Sequence, residues 1–187
     1  LPICNSYDAL YDSKTKKYTA SWQGAKGEGD VSGTRAQVKT GLKIGLSQSG
    51  IPAAYRSSNY SKGGITYRVY QNGAWGAWKS NDAVAGTLAT AKKATPIQGI
   101  QVKLTGTMAN AYDVYYRVEV RNGTAAYWMG WAKNGASAGW KGKNLEQVNI
   151  AIVPKGGAAP TKANNSKQRW ILTGWPCNTQ LAKAGGF

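Results

Sequence analysis

Two tryptophan pairs carry the clearest chemistry in this chain. Trp75 and Trp78 stand three residues apart, and so do Trp128 and Trp131. Sugars present apolar C–H faces that stack on indole and phenol rings, while Asn, Asp and Arg side chains meet the hydroxyls. Asn81 and Asp82 follow the first pair, and Lys133 and Asn134 follow the second. The second pair also sits in a longer loop, Asn122 to Trp131 against Asn72 to Trp78, with Tyr127 inside it and Trp140 beyond it. Repeated units that share a frame differ where they bind. The expected principal pocket is therefore Tyr127, Trp128, Trp131 and Trp140, rimmed by Lys133 and Asn134. Trp75, Trp78, Asn81 and Asp82 form its counterpart. One Trp of each pair is expected in the core. Removing Tyr127 or Trp128 should weaken binding by ~1–3 kcal/mol with little change in melting temperature. Arg68 and Arg117 follow matched tyrosines, so on a strand they point away from Tyr67 and Tyr116, toward an anion or a rim carboxylate.

Catalytic chemistry is thin. The chain has no His, which excludes Ser-His-Asp and Cys-His catalysis and the common His-based zinc sites. Of eight carboxylates, only Glu28 and Asp30 stand two apart. Such a pair could cleave a glycosidic bond, but Gly flanks both acids and the stretch GEGD reads as a polar turn. No EF-hand loop is present. No catalytic residue, metal ligand or cofactor is expected. A cell-wall glycosidase, or its targeting module, remains the enzymatic alternative.

The net charge of +16, from 24 Lys and Arg against 8 Asp and Glu, suits a polyanion. It also suits a merely solvated surface. Acidic polysaccharide, lipopolysaccharide, teichoic acid and nucleic acid all fit by charge alone. The lysines are scattered, and no nucleic-acid-binding motif appears, so nucleic acid is the weaker partner. Single-stranded nucleic acid held by Lys and Trp stacking stays as an alternative. No apolar run reaches the length of a membrane span.

These residues need a frame, and the frame is repeated. ITYRVYQNGAWGAW opens one copy and VYYRVEVRNGTAAYWMGW the next. The copies close on alternating segments, Ile97–Leu104 and Leu145–Ile152. Tyr67 matches Tyr116, an offset of 116 − 67 = 49, and Gly86 matches Gly139, an offset of 139 − 86 = 53. A weaker copy, Val31–Leu46, puts Gly33 under Gly86 and Leu42, Ile44 and Leu46 under Ile100, Val102 and Leu104. Period-two alternation over Ile65–Gln71, Ile100–Leu104, Tyr115–Val120 and Val148–Ile152 predicts strands. Asn72-Gly73 and Asn122-Gly123 predict hairpin turns. Ala83–Ala94 is the best helical stretch, but Gly86 and Pro96 favour a loop or one short turn.

One unit of about 50 residues buries too little to stand alone. The expectation is a single all-β domain of three antiparallel units, 25–64, 65–111 and 112–155. A lead-in of 1–24 precedes them, and a loop and closing strand of 156–187 follow. The closing strand, Gln168–Trp175, resembles the missing opening strand of the first unit and is expected beside Val38–Leu46. A three-fold prism-like arrangement fits best, with a three-bladed barrel or a two-sheet sandwich as alternatives. Cys4 and Cys177 lie at opposite ends. A bridge between them would be worth up to ~5 kcal/mol in the chain-entropy model; two buried free thiols are the other reading. The chain opens on LPIC without a signal-peptide pattern, which suggests that a leader or further N-terminal part precedes it.

The repeat resembles the ChW module, a bacterial surface repeat of hydrophobic segments with a recurrent Trp. YRVYQNGAW, Trp78, Asn81, Ala85–Thr87 and IQGIQVKL follow that pattern; Val69 or Tyr70 replaces its His, and Trp140 replaces its Thr. The N-terminal LPIC segment, ending in a strand with Trp22, resembles the lead-in of bacterial and phage-like fibre-tip adhesins. The resemblances imply an extracellular, cell-surface or fibre-tip protein that binds a glycan or an anionic cell-surface polymer. They imply a homotrimer for a fibre tip, and a binding protein rather than an enzyme.

Overall fold

The computed structural model describes residues 3–12, 17–18, 31–33, 37–47, 63–87, 95–160 and 187. Among the described residues, fourteen strands and one short helix succeed one another. They are β1 (Ile3–Asp12), β2 (Lys17–Tyr18), β3 (Val31–Gly33), β4 (Gln37–Ser47), β5 (Ile65–Gln71), β6 (Ala74–Trp75), β7 (Lys79–Ser80), β8 (Ala85–Gly86) and β9 (Ile97–Leu104). After α1 (Gly106–Ala111) come β10 (Tyr112–Asn122), β11 (Ala125–Trp128), β12 (Ala132–Lys133), β13 (Ala138–Gly139) and β14 (Leu145–Pro154). The chain is all-β, in three antiparallel sheets that close no barrel. The alternating segments form the long strands, and the described part of the Ala-rich stretch, residues 83–87, contributes the two-residue β8.

Each sheet is built on one hairpin: β1 with β4, β5 with β9, and β10 with β14. All three shift register at the same place, after Ala9, Tyr70 and Glu119. The shared bulge marks β1 as the opening strand of the first unit. This differs from the sequence reading, which held residues 1–24 as a lead-in and sought that strand in Gln168–Trp175. β1 pairs along β4 from Gln37 to Ser47. Gln168–Trp175 lies outside the described residues, as does Cys177 and with it the bridge to Cys4. The kinship of β1 was hidden because Ser6 occupies the register position of Tyr67 and Tyr116.

The units also exchange strands. β8 of the second unit pairs with β4 of the first, and β13 of the third pairs with β9 of the second. β3 of the first unit pairs with β14 of the third, so the exchange returns to its start. One glycine per unit makes this approach feasible. Gly33, Gly86 and Gly139 have φ of 107°, 90° and 124°. A Cβ on them would fall 2.3, 2.5 and 2.3 Å from the carbonyl oxygens of Glu146, Thr40 and Gln98. No side chain fits between backbones so close.

The inward faces make one core. Leu42, Ile44 and Leu46 meet Ile100 and Val102, Val148, Ile150 and Ile152, and the matched Tyr67 and Tyr116. Both tyrosines are fully buried and donate their hydroxyl protons to the carbonyls of Ala83 and Ala136. Burial pushes the Tyr116 hydroxyl up to about 12, against the lowering pull of hydrogen bonding to the Val102 and Gly135 backbone. The helix α1 plugs this core with Met108.

Candidate functional site

Opposite the core, the sheet of β5, β6, β7, β9 and β13 turns its other face outward. Asn72 and Gly73, with φ of 54° and 81°, fold β5 back and set Trp75 beside Tyr70. Two positive φ values in succession are what a tight hairpin with right-handed twist requires. Trp78 follows, and Arg68 enters between the two indoles. Its guanidinium carbon lies 5.2 Å from the centre of Trp75 and 4.7 Å from that of Trp78. Lys103 comes next, its Nζ 4.3 Å from the Trp78 centre. Arg68 stands opposite Gln101 and Thr66 opposite Lys103, so the two cations stand on neighbouring strands two register places apart, both against Trp78. Ring and cation alternate along the strand axis, each cation facing the negative face of an aromatic quadrupole.

The neighbours of this ladder fix it. Arg68 Nε donates to Gln101 Oε1 at 2.7 Å, and Gln101 Nε2 donates to Ser137 Oγ at 2.9 Å. Ser137 belongs to the third unit and arrives with the exchanged β13. At the other end Phe187 packs edge-on against Tyr70, at 4.9 Å, and at 5.2 Å from Trp75. Lys141, also from the third unit, has its Nζ 5.8 Å from the Tyr70 ring. Among the described residues, Trp78 and Phe187 are the large hydrophobic side chains left open, at 36% and 41% exposure.

The third unit repeats the motif on the sheet of β3, β10, β11, β12 and β14. Arg117 lies 5.0 Å from Trp128 and 4.8 Å from Trp131. Here Trp128 is 2% exposed and Arg117 8%. The register place of Lys103 is held by Ala151, opposite Tyr115. Tyr115 meets Trp131 edge-on at 6.4 Å. Buried carboxylates surround this ladder in the same strands: Glu119 accepts from Gln147 Nε2 at 2.7 Å, and Glu146 accepts from Arg121 Nε and Nη2 at 2.7 and 3.0 Å.

The expected principal pocket is not assembled in this way. Trp128 is buried, so its face is not offered to a ligand, and the expectation that its loss would leave stability untouched is corrected. Tyr127 and Trp140 are half-buried against the core. Trp140 is carried to the neighbouring sheet, where its backbone N–H donates to the Gln98 carbonyl at 3.0 Å. Asn134 serves the backbone: with φ of 45°, its Oδ1 accepts from Val114 N at 2.9 Å. Asn81 does the same for Ile65 N at 3.0 Å, with φ of 46°. Asp82 N donates to the Ile44 carbonyl at 2.8 Å, and its carboxylate lies over Gly45 of the first unit. These residues hold turns in place.

Lys133 is likewise committed, 3.1 Å from Asp113 Oδ2. Asp113 is buried and also receives Lys155 Nζ at 3.0 Å, Asn134 Nδ2 at 2.8 Å and Gly156 N at 2.9 Å. Burial pushes this carboxyl up, but the four donors outweigh it and hold it well below the ordinary aspartate range. The hydrogen bond to Asp113 raises the Lys133 ammonium in turn.

The outer face of the second unit is thus the candidate site. Trp75 and Trp78 were legible as site residues, and Arg68 as a cation directed at an anion or a rim carboxylate; Gln101, Lys103, Lys141 and Phe187 were not. The readable signal was Tyr-Arg ahead of each W-x-x-W pair. Glu28 and Asp30 lie outside the described residues. Among the described residues no helix is long and apolar enough to cross a membrane. No protein-family model matches this chain, nor does any curated protein or solved structure.

Proposed function

We propose that this chain is an extracellular carbohydrate-recognition or adhesin domain, ChW-like in its repeat and borne on a bacterial cell surface or fibre tip. The reading is carried by one observation. The outer face of the second unit sets half-exposed rings and cations in a row, on a chain of net charge +16. Soluble domains seldom leave large rings grouped at the surface unless a partner covers them. The same proposal includes a prism-like, three-fold gathering of the exchanged sheets, a Cys4–Cys177 bridge and a homotrimer at a fibre tip.

A glycan array probed with the intact chain tests the function. Retention of a restricted set of glycans is expected, reduced by Trp78→Ala. A chain that retains no glycan, or that releases new reducing ends from cell-wall polysaccharide, is something other than a recognition domain.

A further inference from the structure

We infer that the outer face of the second unit selects acidic polysaccharide, reading acid groups with Arg68 and Lys103 rather than stacking sugar rings on its tryptophans. The inference rests on the carbohydrate-recognition reading and narrows its ligand class. Stacking needs a free ring face. Trp78 already has both Arg68 and Lys103 against its ring, at 4.7 and 4.3 Å from its centre. Trp75 has Arg68 at 5.2 Å and Phe187 at 5.2 Å. The rings that look like sugar platforms are therefore already engaged by cations, and by Phe187 at Trp75, and what this face presents outward is positive charge.

The two cations are also short of counter-charge. Arg68 bonds through Nε to the neutral Gln101, and among the described residues no carboxylate reaches its guanidinium or the Lys103 ammonium. Both charges lie within 5 Å of one ring centre, so they are at most 4.7 + 4.3 = 9.0 Å apart. Like charges this close repel unless an anion answers them. The indoles hold the stems in fixed positions, which lowers the ordering cost when an anion arrives. A guanidinium fork beside an ammonium suits carboxylate or sulfate groups on a sugar chain. Single-stranded nucleic acid is disfavoured here, because base stacking asks for the same ring faces.

The test measures binding of dextran sulfate, polygalacturonate, neutral dextran and oligothymidylate to the intact chain and three variants. Lys103→Met keeps a stem over Trp78, Arg68→Gln keeps a polar group beside Gln101, and Lys43→Met removes an equal charge from the first unit's sheet. We expect both acidic polysaccharides to bind and neutral dextran not to bind. Lys103→Met and Arg68→Gln together should weaken binding by about tenfold or more, as for lost charge-assisted bonds. Lys43→Met should change it less than about twofold, since a single remote charge is screened. Equal losses from all three variants would mean diffuse attraction and overturn the inference. So would neutral dextran binding as well as polygalacturonate, though glycan recognition would then survive. Oligothymidylate binding more tightly than either polysaccharide would overturn it in favour of nucleic acid. If no polysaccharide binds at all, the recognition reading fails with it.

Discussion

Arg68 lies between Trp75 and Trp78 at the surface, whereas Arg117 lies between a buried Trp128 and a half-buried Trp131 and is itself largely covered. The sequences that build the two ladders are nearly the same. Their surroundings differ at a few register places. Lys103 in the second unit becomes Ala151 in the third, and Thr66 becomes Tyr115. Gly64, ahead of β5, becomes Asp113, which gathers two lysines, Asn134 and the Gly156 amide. The third unit pairs charges around its ladder, Glu146 with Arg121 and Asp113 with Lys133 and Lys155. The second leaves Arg68 and Lys103 facing outward with neutral neighbours. One motif thus serves as packing in one place and as a surface in another, and the difference lies in the flanking residues.

Five substitutions break or sharpen this contrast. The largest effect belongs to Trp128→Ala, expected to cost about 3–5 kcal/mol as a large buried ring. Its counterpart Trp78→Ala should cost about 1 kcal/mol or less. Chemical denaturation of both variants measures the gap, and similar losses would erase the distinction between core and surface ladder. Gly139→Ala comes next, at about 2–3 kcal/mol for strain at positive φ against the Gln98 carbonyl. It should also displace Ser137 and Lys141 from the second unit's face, visible as a shifted Trp fluorescence. An unchanged spectrum with lowered stability would separate the exchange from the site.

Asp113→Asn should cost about 2 kcal/mol near neutral pH, through lost charge-assisted hydrogen bonds. Because the folded carboxyl is held below its ordinary value of 3.8, its contribution is full above that value and fades as pH falls through the lower folded one. Denaturation series at stepped pH should show the native chain losing stability in acid, with a shallower fall in the variant. Parallel slopes would place the acid response on other carboxylates. The smallest effect is expected for Lys103→Met, within about 0.5 kcal/mol of the native chain, since the residue is exposed. A larger loss would mean that the outer ladder supports the fold as well.

The strands of the second and third units were legible because their apolar residues alternate and their turns carry Asn-Gly. Gly33, Gly86 and Gly139 were legible as matched letters, but their task of admitting a foreign backbone was not, since nothing local records a partner about 40 or more residues away. β1 was misread because its kinship lies in a bulge and a register, which leave no trace in residue types. The W-x-x-W pairs were found, but which of them is covered depends on residues elsewhere in the sheets. Asn81 and Asn134 looked like ligand contacts because a polar side chain near aromatics reads alike whether it meets a sugar or its own backbone. Their positive φ is the distinguishing mark, and it is a property of the folded chain.

The strand exchange sets an order in time. Two of its pairings join residues 86 − 41 = 45 and 139 − 99 = 40 positions apart, and the third joins residues 147 − 33 = 114 apart. Loop closure costs rise with the length closed, and long-range pairings form late. The contact of Gly33 with Gln147 is therefore expected to be the last to form in refolding and the first to open in the native state. Amide exchange at Val148 and Asn149 would then outpace exchange at Leu42 and Ile100, and the seam between the first and third units would behave as the latch of the whole assembly.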